Sequence, residues 1–98
     1  MDARSMLRST EFDPATPLGV SQARTLAREI ADAVRDPKMH PSIPMKAARA
    51  VVDRRISAAE LAQLLDHICA HRAGIDSTGA YFCACLKRIF QANEVPWR

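Results

Sequence analysis

From position 21 onward, apolar residues recur every three or four positions. Ala23, Leu26, Ala27, Ile30 and Val34 fall on one side of a helical wheel, and Arg24, Arg28, Glu29, Asp32 and Arg35 on the other. The spacing predicts an amphipathic helix over residues 21–35, with Ser21 as its N-cap. Asp36-Pro37 ends it, because a proline disfavours helical backbone in the residue before it. Pro37, Pro41 and Pro44 apply the same restriction repeatedly, so residues 36–43 are expected to be an extended connection.

Pro44 suits the first turn of a second helix over residues 44–54. Met45, Ala48, Val51 and Val52 form its apolar face, opposite Lys46, Arg49, Asp53 and Arg54. Next, Ser57-Ala58-Ala59-Glu60 reads as a capping box. The Ser57 hydroxyl is expected to accept from the Glu60 amide and the Glu60 carboxylate to reach back, with Ile56 and Leu61 as the accompanying hydrophobic staple. A third helix follows over residues 58–72 with Leu61, Leu64, Leu65, Ile68 and Cys69 inward, and Gly74 stands where the chain must reverse. Ser77 or Thr78 caps a fourth helix over residues 78–93, with Phe82, Leu86, Ile89 and Phe90 as its core stripe. Pro96 stops continuation, and Trp97 is expected to fold back near Phe90 and Asn93, since a large indole left in water forgoes a large burial gain. Short links favour antiparallel packing of the second helix on the third and the third on the fourth. Residues 1–17 carry Ser5, Ser9, Thr10, Asp13, Pro14, Thr16 and Pro17 among few apolar anchors, and read as a mobile arm with at most a turn at Met6 and Leu7.

Composition narrows this picture. The chain has 98 residues, 48% of them hydrophobic, which suits one domain with one modest core. Three glycines and three cysteines exclude collagen-like and disulfide-scaffold classes, and no apolar run suits a membrane span. The N-terminus has acids at Asp2, Glu11 and Asp13 and no apolar segment behind its arginines, so it does not read as a secretory signal. The expected location is the cytoplasm, with cysteines as reduced thiols. Net charge is +3. Basic and acidic residues balance before Pro44, so the excess lies in the second part, where an acidic partner such as nucleic acid would bind.

His67, Cys69, His71, Cys83 and Cys85 are residue types that bind zinc. Positions two apart on a helix point about 200° apart, so Cys83 and Cys85 diverge, as does Cys69 from its histidine neighbours. Neither metal nor cofactor is expected. Phosphate-loop, dinucleotide-binding and nucleophile-elbow motifs are absent from the chain, so it reads as non-enzymatic. Ser57 to Leu65 looks like the opening helix of a helix-turn-helix, but the periodic pattern runs on through Asp66 to Cys69 with no turn. Pairing the second and third helices instead would present Glu60, Gln63 and Asp66 to the bases, an acidic face poorly suited to DNA.

Ser77-Thr78-Gly79-Ala80-Tyr81-Phe82, continuing to Leu86-Lys87-Arg88, resembles the "x-P-G-A-Y-F…L-K" helix that closes small helical domains of phage and plasmid replication proteins and of the primosomal DnaD-like family. The likeness covers residues 77–93. It implies DNA contact through a Tyr-x-x-x-Ile-x-x-x-Trp pattern, of which Tyr81 is present while Cys85 and Ile89 stand at the other two positions.

The combined expectation is an all-α compact bundle of four principal helices in residues 18–98, preceded by the arm. It is expected to act as a small non-enzymatic binding module, a nucleic-acid-associated accessory of DNA replication or transcription. Lys46, Arg49, Arg54, Lys87 and Arg88 are the candidate nucleic-acid contacts, weak and salt-sensitive. The alternative is a protein-interaction or homo-oligomerisation module that uses an exposed apolar patch of Phe82, Leu86, Ile89, Phe90 and Trp97. No membrane partner is expected.

Overall fold

A computed structural model describes residues 3–8 and 19–97. They form an all-α bundle: α1 (Ala3–Arg8), α2 (Gly19–Val34), α3 (Ser42–Val52), α4 (Ala58–Ala70), a 3-10 turn (Arg72–Gly74) and α5 (Thr78–Ala92). No strand occurs among the described residues. The core is the set of stripes expected from the spacing: Leu26, Ile30 and Val34 of α2, Leu61, Leu65 and Ile68 of α4, and Phe82, Leu86 and Phe90 of α5 are all buried. α3 joins through small residues. Ala47, Ala48, Ala50 and Val51 are buried there while Met45 and Val52 are only partly so, which lets α3 lie close along α2.

Several local expectations are revised. α2 begins at Gly19, so Ser21 lies inside the helix and does not cap it. The connection after α2 is not extended throughout: residues 37–39 turn, and Ser42 and Ile43 already belong to α3, with Pro44 in its first turn. Ser57 is the N-cap of α4, but its hydroxyl accepts from the Ala59 amide at 3.1 Å, and the Glu60 carboxylate makes no hydrogen bond among the described residues. The staple residues Ile56 and Leu61 are both buried. α4 ends at Ala70, and the reversal at Gly74 is a 3-10 turn rather than a left-handed cap.

Left-handed backbone appears at non-glycine residues instead. After α3, Arg54 (φ 60°) donates its amide to the Val51 carbonyl and Arg55 to the Ala50 carbonyl. After α5, Glu94 (φ 57°) donates to Gln91 and Val95 to Phe90. Both are Schellman ends, which satisfy carbonyls that the helix leaves unpaired. The second also brings Val95 back toward Phe90, the apolar contact that accompanies this motif, and so aims Pro96 and Trp97 along the bundle instead of away from it.

Part of the expected mobile arm is ordered. Residues 3–8 form α1, which packs chiefly on α4 with Leu7 buried, while Arg4 and Arg8 pair with Asp66. The remainder of the expected arm lies outside the described residues. The packing order also differs from the expected one. α3 packs on α2 and makes little contact with α4 despite the short link, whereas α4 contacts α1, α2 and α5.

α5 is fixed at its start by a polar junction with the end of α2. Asp36 accepts from the Lys38 amide at 3.0 Å, the Gly79 amide at 2.9 Å and the Ser77 hydroxyl at 2.9 Å, while Ser77 caps α5 by accepting from Ala80. Thr78, buried, donates to the Val34 carbonyl at 2.8 Å. Arg72 donates to the same carbonyl at 2.8 Å and also to that of Ala33. The amides of Lys38 and Gly79 and the Ser77 hydroxyl hold the Asp36 carboxyl below its ordinary value of 3.8.

Candidate functional site

At the other end of α5, the tail after the Schellman turn lies against α3. Trp97 meets the Phe90 ring edge-on at a centroid distance of 5.1 Å, as its expected docking requires. Two ammonium groups then sit over the indole. Lys46 of α3 is 4.8 Å from the ring centroid and Lys87 of α5 is 5.5 Å from it. A cation over an aromatic face is attracted by the ring quadrupole, so one tryptophan gathers two lysines from helices that have little direct contact.

Beside Trp97 runs a groove of about 520 Å³ between α3 and the tail. Met45, Phe90, Val95 and Pro96 give it an apolar floor, and Lys46, Arg49 and Arg55 line it with one acid, Asp53. Among the described residues, none of Lys46, Arg49, Arg55 and Lys87 has a carboxylate within ion-pair distance. Two cations elsewhere in the fold are engaged instead. Arg8 is spent on Asp66, whose carboxyl is pushed below its ordinary value chiefly by that hydrogen bond, and Arg72 is spent on backbone carbonyls.

Of the five cations expected to act together, the fold brings together Lys46, Arg49 and Lys87. Arg54 lines a second groove, with Leu7, Ile56 and Asn93, which Arg55 borders as well. Arg88 is one step around α5 from Lys87, beside Tyr81, so neither joins the Trp97 cluster. Arg55 was missed. Its signal is present in the sequence as the second of two adjacent arginines, but its direction depends on the left-handed turn at Arg54.

The expected apolar patch is corrected by burial. Phe82, Leu86 and Phe90 are 0–4% exposed and belong to the core, leaving only Ile89 and Trp97 partly exposed. Helix α5 therefore turns its large apolar side chains inward, where α2 and α4 cover them.

A separate cluster lies on α4 and the first half of α5. His67 and His71 have ring centroids 4.5 Å apart, and Tyr81 stacks on His67 at 5.8 Å. Partial burial raises the Tyr81 hydroxyl above its ordinary value, with the neighbouring Cys85 adding to the shift. Cys69 points the other way, toward the Ala33 carbonyl and Arg72. Cys69, Cys83 and Cys85 are partly buried free thiols. Among the described residues no three His, Cys, Asp or Glu side chains converge as a metal site would need, and no helix is long and apolar enough to cross a membrane. Comparison with protein-family models, curated proteins and solved structures finds no match for this chain.

Proposed function

We propose that the protein is a small non-enzymatic binding module that takes the phosphate backbone of nucleic acid on the surface between α3 and the C-terminal tail. The observation that carries this reading is the convergence of Lys46 and Lys87 on Trp97, continued along the groove by Arg49 and Arg55. Cations that no carboxylate neutralises can exchange their counterions for phosphates, and the release of those counterions drives association. The chain's excess of basic over acidic residues favours the same partner. The resemblance of residues 77–93 to the closing helix of replication-protein domains points toward an accessory role in DNA replication or transcription. In this reading the protein works in the cytoplasm with its cysteines reduced.

The test is a titration of fluorescent single- and double-stranded oligonucleotides at about 50 mM salt, repeated at rising salt. If three of the four cations meet phosphates, log affinity falls against log salt with a slope of about −2.7 on duplex or about −2.1 on single strands. Charge reversal of Lys46 and Lys87 together is expected to flatten that slope by roughly two units. Absence of binding to either form overturns the reading in favour of a protein partner or a second copy.

A further inference from the structure

We propose that this surface prefers single-stranded nucleic acid to duplex, with the Trp97 indole as the stacking platform for one unpaired base; the proposal rests on the nucleic-acid reading above. The Phe90 and Trp97 rings are inclined at 67° to each other rather than stacked. What the ring carries on its π system are the ammonium groups of Lys46 and Lys87. An ammonium on a flexible stem is a replaceable occupant. A base that stacks on the ring gains a sequence-tolerant contact, and the lysine it displaces is released toward the phosphate of the same nucleotide. Aromatic side chains interleaved with cations along a groove are how proteins hold unpaired strands. In a duplex the base faces are hidden by their neighbours, so the indole has nothing to stack on.

The packing of the tail argues in the same direction. A duplex reader lays a helix into the major groove with several side chains reaching base edges. Here Val95 and Pro96 lie along α3, and Lys46 is half-buried against Trp97, so α3 cannot enter a major groove without first shedding the tail. The groove itself, about 520 Å³, falls in the size range of sites for small ligands. Its lining joins apolar Met45 and Val95 to the cations Lys46, Arg49 and Arg55, a combination suited to a splayed nucleotide.

The chain has one tryptophan, so its emission reports on the platform directly. Three probes are compared, each about 12 nucleotides long, a span suited to one small binding surface: an oligothymidylate, the same strand with abasic sites, and a duplex. The expected result is quenching of Trp97 emission by the thymidylate, with affinity about tenfold above that for the abasic strand. Trp97→Leu is expected to abolish that difference, and Trp97→Phe, which keeps a π face against Phe90, to retain most of it. The comparison of strands on the unaltered protein does not depend on either variant folding. Equal binding of all three probes with unchanged emission and a preserved salt slope overturns the platform while leaving the basic surface intact, as does tighter binding of the duplex. No binding to any probe overturns both proposals. Full competition by polyglutamate at equal charge overturns the platform in favour of an acidic protein partner.

Discussion

The two ends of α5 solve opposite problems with the same kinds of residue. At its start, Asp36, Arg72, Ser77 and Thr78 are bonded within the fold. Asp36 accepts three hydrogen bonds, Thr78 and Arg72 share the Val34 carbonyl, and no buried side-chain N or O among the described residues lacks a partner. At its other end, Lys46, Lys87, Arg49 and Arg55 have no carboxylate within ion-pair distance among the described residues, and an aromatic ring is the contact that holds the two lysines. A saturated polar cluster stabilises the fold and has nothing left to offer a ligand. An unsaturated one contributes little to stability and keeps its hydrogen-bonding capacity for a partner. The comparison predicts that substitutions at the α2–α5 junction lower stability, whereas substitutions at the tail spare it and change binding.

The largest effect is expected at Gly79. A Cβ there would stand 2.6 Å from the Asp36 carboxylate oxygen and 3.0 Å from the Met39 Cβ. The carboxylate cannot move aside without losing its bonds to Ser77 and to Gly79 itself. Gly79→Ala is expected to destabilise the protein by about 1–3 kcal/mol, the usual cost of overpacking. An unchanged denaturation midpoint would show that the junction yields, and the contrast between the two ends would collapse.

The junction also carries an acid sensitivity whose sign follows from Asp36. Its carboxyl lies below the ordinary 3.8 in the folded protein because backbone amides and Ser77 favour the charged form. Its contribution is therefore fully present above that ordinary value and is lost as pH falls through the depressed one. Asp36→Asn is expected to flatten the stability profile in that acid window, which denaturant titrations at a series of acid pH values would measure.

Ser57 offers an intermediate case, a cap with one hydrogen bond. Ser57→Ala is expected to cost about 1 kcal/mol, read as a shift in the denaturation midpoint. Because Glu60 does not complete the box, Glu60→Ala, which removes the acceptor altogether, is expected to leave that midpoint nearly in place, and this separates a simple cap from a reciprocal one.

The smallest effect on stability per side chain is expected at the tail. Lys46→Gln combined with Lys87→Gln removes two cation–π contacts and is expected to cost about 1 kcal/mol in total, about 0.5 for each contact. The same pair of changes is expected to reduce the salt slope of oligonucleotide binding by roughly two units. A large loss of stability with unaltered binding would invert the comparison and make the lysines structural.

Helix type, approximate position and core face were legible in the sequence because they depend on local spacing. A stripe such as Phe82, Leu86 and Phe90 must be buried somewhere, and Ser57 and Ser77 cap the helices they precede whatever those helices pack against. The docking of Trp97 near Phe90 was legible for the same reason, since Pro96 leaves the tail little room to continue outward. The αL helix ends were not, because Arg54 and Glu94 adopt a conformation that costs a side-chain-bearing residue about 1–2 kcal/mol. Only the carbonyls they satisfy and the return of Val95 onto Phe90 offset that cost.

The sequence by itself thus determined an all-α chain with its apolar stripes, caps and breaks, each set by residues a few positions apart. Only the tertiary structure decided that α3 lies on α2 rather than α4, that Asp36 clamps the start of α5, and which helices cover the Phe82, Leu86 and Phe90 stripe. It also decided which cations meet, bringing Lys46 and Lys87 to one ring and leaving Arg54 and Arg88 outside that cluster. The reason is physical: helical periodicity fixes the direction of a side chain relative to its own helix axis, whereas the convergence of side chains from separate helices depends on how those axes pack and on where the chain turns between them.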